Sequence, residues 1–355
     1  MGKGVLVASV VLVTGVSRYM GGRYARDLAA DPSVERIIGV DVVPPPHSIG
    51  RAEFVRADIR NPMIGRIIGQ ADVDTVVHMN VIATPLSAGG RVSQKEINVI
   101  GTMQLLAACQ KATTLKRMVV KSSAAVYGSS PRDPAMFTEE MGPKSLPRAG
   151  FGKDSVEVET YVRGFARRRP DVGITTLRLA NIIGPGIRTS MTDYFALPVV
   201  PAPLGFDARL QFVHEADASA ALVLATTAAE AVGNVNIAGA GIITVQQAAA
   251  MVGRPILPVP LPAAGLFGGL VKRVGLADFS DDQMQYLAYG RGLDTTRMRE
   301  VLGFEPDYTT REAFRAYAEH VTALVPGASA AAQAVQGVAG SAAHAVAHAL
   351  NRRVG

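Results

Sequence analysis

The stretch Val11 to Leu28, VLVTGVSRYMGGRYARDL, decides how this chain is read. A β-branched apolar run ends at Thr14-Gly15, a short loop carries Gly21 and Gly22, and an amphipathic segment with Leu28 on its apolar side follows. That order spells strand, tight turn, helix. Such a junction leaves backbone N–H groups at a helix N-terminus aimed at whatever sits above it, which suits a pyrophosphate. In the dinucleotide fingerprint Gly15 takes the first glycine position and Gly21 the third, six residues on. The middle glycine, which lets a phosphate approach the backbone, is replaced by Arg18. A guanidinium there either exchanges backbone contact for charge or obstructs the loop.

Outward from the loop, Arg36-Ile37-Ile38-Gly39-Val40-Asp41 reads as a second buried strand ending in a carboxylate. It lies about 20 residues past the glycines, as ribose recognition requires. An aspartate accepts from both ribose hydroxyls and repels a 2′-phosphate, so it selects NAD over NADP. The competing reading is a strand-end aspartate that caps a turn before Pro44-Pro45-Pro46. Strand, loop, helix, strand and carboxylate in that order favour the cofactor.

The 355 residues, 48% apolar and 19% charged, allow one large α/β domain with a smaller lobe, or two domains. A single cysteine, Cys109 in the helical pattern LLAACQ, excludes a disulfide framework and a thiolate metal cluster and fits a reducing, cytoplasmic compartment. The six histidines lack metal-ligand spacing, so no metal is expected. A net charge of +6 raises the question of nucleic acid. The charges are dispersed, however, and the densest cluster, Arg167-Arg168-Arg169, precedes Pro170, where cations complement a helix end. No nucleic-acid partner is expected. The apolar N-terminus runs directly into the Thr14-Gly15 turn and reads as sheet rather than signal peptide. No apolar run reaches the length of a transmembrane helix.

Further strands are expected at Glu53 to Val55, Thr75 to Asn80 and Met118 to Ser123, alternating with helical patterns. Asp58 follows the first, either beside an adenine amino group or in a solvated turn. A loop with Pro85, Gly89 and Gly90 leads to a helix around Glu96 to Thr102. The alternation predicts a parallel sheet with ligands above the carboxyl ends of its strands, which puts Ser122 and Ser123 on the ligand side.

Seven segments, TGVSRYMG, VVHMN, INVIGTMQLL, VVKSSAAVYG, TTLRLANIIGPG, LQFVHEADASAAL and DTTRMREVLGF, resemble in order the landmarks of extended short-chain dehydrogenases/reductases of the NAD-dependent epimerase/dehydratase type. The resemblance spans about Val11 to His320. It implies a Rossmann-like doubly wound parallel sheet that holds NAD, over residues 1–180 and 211–240, and a smaller C-terminal substrate lobe, over 181–210 and 241–325. It also implies a nucleotide-sugar substrate and a homodimer. Gly15, Ser17, Arg18, Tyr19, Met20 and Gly21 form the expected phosphate loop, Asp41 meets the ribose, and Asp58 and Ile59 meet the adenine. Asn98 lies on the helix facing the site.

Chemistry in that family uses a Tyr-x-x-x-Lys pair and a Ser or Thr from the preceding strand end. The tyrosinate takes a hydroxyl proton as hydride passes to the nicotinamide, and the lysine lowers the tyrosine pKa and holds the cofactor ribose. Ser123 stands at the hydroxyl position. Phe151 occupies the tyrosine position and Ser155 the lysine position, so both partners are lost. Lys153 is two residues early, about 200° around the helix from Ser155. Tyr19 and Tyr127 lie near enough to be considered as bases, against the plainer reading that they pack beside the cofactor. The expectation is an epimerase or oxidoreductase acting on a nucleotide-sugar or related hydroxyl, or else a pseudoenzyme that binds NAD and a metabolite.

In the lobe, Asn181 is a candidate substrate contact. The family's diphosphate-binding arginine has Leu210 at its position, with Arg209 one place off and so on the opposite strand face. Leu261 to Leu276 is an apolar segment with Lys272 and Arg273, read as a core or lobe-packing helix, or else as the lining of an apolar substrate pocket or a peripheral membrane contact. Residues 326–355, rich in alanine, form an expected tail.

Overall fold

Apolar β-branched runs and glycine-marked turns place the elements where the chain alternates between them. The computed structural model describes residues 8–83, 89–147, 150–227, 231–260 and 281–324. In order these give β1 (Val10–Thr14), α1 (Tyr19–Leu28), β2 (Arg36–Asp41), β3 (Glu53–Arg56), α2 (Ile64–Gln70), β4 (Thr75–His78) and α3 (Arg91–Lys95). A π-helical turn (Glu96–Gly101) then runs into α4 (Thr102–Lys111), followed by β5 (Arg117–Ser123), a 3-10 turn (Ala124–Tyr127), α5 (Gly150–Arg168) and β6 (Gly173–Leu179). Beyond them lie β7 (Asn181–Ile183), α6 (Ser190–Phe195), β8 (Val200–Pro203), β9 (Arg209–Leu210), β10 (Phe212–His214), α7 (Glu215–Thr227), β11 (Gly233–Ile237), β12 (Ile243–Thr244), α8 (Val245–Met251) and β13 (Ile256–Val259). Helices at Asp281–Tyr289, Thr296–Glu300 and Thr310–Leu324 follow.

Seven strands make one parallel sheet in the order β11-β6-β5-β4-β1-β2-β3. Alternate residues of each strand face opposite ways. Val11, Val13, Val77 and Val119 therefore join Tyr24 and Leu28 of α1 and Ala221 and Leu222 of α7 in one apolar layer. Leu12, Val76, Met118 and Val120 join Ile64 of α2, Leu105 of α4 and Val158 and Phe165 of α5 in the other. Burial on both faces explains why the strands read as unbroken apolar runs. Strand order reverses between β1 and β4, and that switch point opens a crevice at the carboxyl ends.

The expected doubly wound parallel sheet is therefore present. β4 ends at His78, two residues short of expectation, because Asn80 turns to lie against Gly15. Cys109 is fully buried and burial pushes its thiol up to about 12, so it is core. α5 stops at Arg168, and Arg169 donates to the carbonyls of Cys109 (3.0 Å) and Ala112 (2.9 Å), satisfying the end of α4. In the C-terminal part β10 pairs with β7, β12 with β9 and β13 with β8, around a core that includes Phe195, Phe212, Phe314 and Tyr317. Among the described residues no helix is long and apolar enough to cross a membrane. The Leu261 to Leu276 segment and the 326–355 tail lie outside the described residues.

Candidate functional site

Gly15 ends β1 with φ +79°, a conformation that favours glycine, and a Cβ there would lie 3.1 Å from Asn80 Cα. Gly21 sits tighter still: its Cβ would fall 2.1 Å from the Gly15 carbonyl oxygen. The two fingerprint glycines thus press the start of α1 onto the turn. Between them, Arg18 is extended (φ −84°, ψ 148°) at the helix start and its N–H donates to the Gly15 carbonyl at 3.1 Å. No side chain caps this end of α1 and its first turn holds no acid, so its leading N–H groups face the crevice uncontested. Met20 is buried beneath the turn.

Asp41 ends β2 nearly buried. Its Oδ2 accepts the Ser17 N–H (3.0 Å) and its Oδ1 the Val42 N–H (2.8 Å), while the Ser17 hydroxyl donates to the Val43 carbonyl. The capping and ribose readings are thus compatible. Capping fixes the carboxylate and leaves lone pairs for hydroxyl donors. Across the crevice, Asn80 Oδ1 is buried with no hydrogen-bond partner, beside Gly15. An orphaned acceptor costs stability unless something satisfies it. An open helix start, an anchored carboxylate and an unpaired amide oxygen around one glycine turn fit a dinucleotide.

Other predicted contacts also have partners within the protein. Asp58 receives the Arg60 guanidinium on both oxygens (2.7 to 3.0 Å), which holds its carboxyl below the usual range. Ile59 is core, so close to Gly101 that a Cβ there would meet Ile59 Cδ1 at 2.7 Å. Asn98 brackets Ile82, accepting from its N–H (2.7 Å) and donating to its carbonyl (2.9 Å). It shapes the loop after β4 from behind.

Ser123 caps the 3-10 turn by accepting the Ala125 N–H (3.2 Å), and α5 begins against that turn, with Gly152 tight on the Ala125 carbonyl. Phe151 packs on the apolar layer of α4 and α5. Ser155 is buried and donates to the Phe151 carbonyl at 2.9 Å. Lys153 is exposed, 4.0 Å from Glu157. Neither nearby tyrosine is free. Tyr19 donates to Glu215 Oε1 (2.8 Å), and burial together with that carboxylate raises its pKa. Tyr127 donates to Asn236 Oδ1 (2.8 Å), accepts from Arg178 (2.9 Å) and stacks on Phe137 at 4.6 Å, and burial raises it too. Tyr127 packs as the plainer reading had it, and Tyr19 is held in a structural tie.

Several groups at the site escape sequence reasoning because their partners are remote in the chain. Arg91 clasps the buried Asp154 (2.6 Å) and the Gly150 carbonyl (2.9 Å), tying the start of α5 to α3. Glu215 accepts from Tyr19, from Arg23 (3.4 Å) and from the Ile187 N–H (2.7 Å), tying the glycine loop to the Gly184-Pro185-Gly186 loop. Asn181 bonds Tyr286, over whose ring Arg291 lies 5.1 Å from the centroid. Arg291 also donates to the Gly128 carbonyl (2.8 and 2.6 Å) and to Ser129 Oγ (3.1 Å). The Arg209 side chain is exposed and Leu210 buried, the alternation expected of a strand. Lys121, on β5 directly after the apolar Met118-Val119-Val120, donates to the Val81 carbonyl at 2.8 Å, and burial pushes its pKa down to about 8. Its visible signal is a charge within MVVKSS.

Comparison with known proteins agrees with this geometry. Residues 11–238 match the model of the NAD dependent epimerase/dehydratase family. Uncharacterized protein Rv0501 of Mycobacterium tuberculosis is 48% identical over 314 residues, 87% of this chain and 83% of that protein. Among solved structures, the UDP-glucose 4-epimerase of Thermotoga maritima with UDP-glucose superposes with a TM-score of 0.68 at 20% identity, covering 89% of this chain and 99% of that one. A tyrosine-to-phenylalanine mutant of the UDP-glucuronic acid 4-epimerase of Bacillus cereus, in complex with UDP-4-deoxy-4-fluoro-glucuronic acid and NAD, does so with a TM-score of 0.66 at 17% identity, covering 89% and 100%. This chain belongs to the NAD-dependent epimerase/dehydratase family.

Proposed function

We propose that this protein binds NAD across the carboxyl edge of the sheet, together with a nucleotide-sugar or related hydroxyl ligand, and that its proton-transfer machinery is disabled. The observation that carries this reading is the contrast between the two halves of the site. The glycine turn, the open start of α1 and the anchored Asp41 keep the form a dinucleotide requires. Phe151 and Ser155 replace the base and the cation, and both neighbouring tyrosines are held in structural hydrogen bonds.

NAD, when bound, supplies the hydride acceptor. Ser123, half-buried at the end of β5, is the hydroxyl left to orient a ligand. On this reading Tyr19 and Tyr127 are both tied up in hydrogen bonds within the protein, and loss of a general base costs about 10² to 10⁴-fold in rate. Arg291, beside Asn181 and Tyr286, offers the second lobe a cation where Leu210 supplies none. The working property is then occupancy by cofactor and metabolite rather than rapid turnover.

The test compares the wild type with the double substitution Phe151→Tyr and Ser155→Lys, incubated with NAD and UDP-glucose. The wild type should show negligible 4-epimerisation, and the double variant a rise of at least about 100-fold. Wild-type turnover at ordinary epimerase rates would refute the disabled site.

A further inference from the structure

We propose that Lys121, from strand β5, supplies the cation for the nicotinamide half of bound NAD that the Ser155 position has lost. The inference rests on the NAD reading above and extends it to a residue outside the family's catalytic pair.

Four observations converge on Lys121. It is half-buried near the carboxyl end of β5, on the same strand face as Ser123, two residues on. Its Nζ donates to the Val81 carbonyl at 2.8 Å, in the loop directly after β4. That loop carries Asn80, whose Oδ1 has no partner and whose backbone lies against Gly15. Among the described residues Lys121 makes no salt bridge, and Val81 is its one hydrogen-bond partner. An ammonium has three N–H donors, so two remain unspent.

A half-buried ammonium with two unspent donors gains from a further acceptor that completes it. The topology indicates which partner. The glycine turn Gly15–Gly21 lies at the switch point between β1 and β4, and on the NAD reading Asp41, on the β2 side, would take the adenosine ribose. A dinucleotide held that way sends its other half over β4 and β5, where Lys121 and the Asn80 amide stand. The ribose hydroxyl oxygens of that half are acceptors of the kind an ammonium lacks here. The strand then does from one side what a lysine on α5 would do from another.

The experiment is calorimetric titration of the full-length protein with NAD and, separately, with ADP, which keeps the adenosine and pyrophosphate but lacks the nicotinamide ribose. Lys121→Met should weaken NAD about tenfold or more, the size of a lost charged hydrogen bond, and leave ADP within about twofold. Lys121→Arg should retain most NAD affinity, and Lys153→Met should change nothing. Unchanged NAD affinity in Lys121→Met would overturn the proposal, and so would equal weakening of NAD and ADP, which marks a merely structural lysine. Should Lys121→Met not fold, the wild type still decides. His78 on β4 is a titratable group that interacts with Lys121, and burial keeps it neutral. Raising the pH through about 8 should then weaken NAD and not ADP, and equal pH profiles would overturn the proposal. A wild type that binds ADP but not NAD overturns this inference together with the NAD reading, whereas a defect confined to the variant's NAD affinity supports both.

Discussion

The Ser155 hydroxyl donates to the Phe151 carbonyl across 2.9 Å, so the two residues expected at the lysine and tyrosine positions are bonded to each other along one turn of α5. A serine that bonds back four residues within its own helix spends its donor locally. It leaves nothing to aim at a ribose. Phe151 meanwhile joins the apolar layer beneath. Phe151 and Ser155 are thus both spent within the packing of α5, while the glycine turn keeps its tight geometry.

Gly21→Ala should damage that turn. The new methyl would meet the Gly15 carbonyl oxygen at 2.1 Å, a backbone atom that moves only if α1 or the turn moves. We expect a loss of about 1 to 3 kcal/mol in chemical denaturation and at least about tenfold weaker NAD binding, from the lost contacts to the displaced N–H groups. Gly69→Ala in α2 is the control, since nothing lies within 4 Å of its Cβ, and it should be neutral or stabilise by about 0.5 to 1 kcal/mol. Similar behaviour of the two variants would contradict the close approach.

Asp41→Asn should reduce the preference for NAD over NADP. The amide keeps the shape but loses the charge and places a donor against the Ser17 or Val42 N–H. NAD should bind about 10 to 100-fold more weakly, as for a lost charged hydrogen bond. NADP should suffer less, because the carboxylate that repels its phosphate is gone. A NAD to NADP affinity ratio unchanged by the substitution would mean that Asp41 only caps its turn.

His78 makes the fold sensitive to acid. It is fully enclosed between Thr14 (3.0 Å) and Thr102 (2.8 Å), and burial, helped by the Lys121 charge, pushes its pKa down to about 3. Between that value and the ordinary 6.5 the unfolded chain binds the proton and the folded chain does not, so stability falls as pH drops. From pH 6.5 to pH 5 the loss from this residue should be about 2 kcal/mol. Urea midpoints at the two pH values, in the wild type and in His78→Gln, measure it. An equally steep pH dependence in the variant would assign the effect to other groups.

Much of this was readable in the chain because it depends on local order. The β1 turn and the Arg36–Asp41 strand are set by residues adjacent in sequence, and the expectation that Phe151 and Ser155 stand at the Tyr-x-x-x-Lys positions rests on a fixed spacing. What sequence left open turns on partners far away. Asp58, expected near an adenine, also takes the Arg60 guanidinium, and Tyr19, considered as a base, is tied to Glu215 nearly two hundred positions on. Asn80 and Lys121 fall within expected strands and are not singled out by the sequence, and only the pairing of β4 between β1 and β5 brings them to the crevice. The small β8/β13 and β9/β12 pairs join segments too short to announce themselves by pattern.

The most direct measurement is whether the purified protein holds NAD, read by denaturing it and assaying the released nucleotide, then by calorimetric titration of stripped protein. The account predicts nucleotide in the released fraction or a saturable one-site isotherm, weakened by Gly21→Ala. No released nucleotide and no binding at millimolar NAD would contradict it and leave a Rossmann-like scaffold without its cofactor.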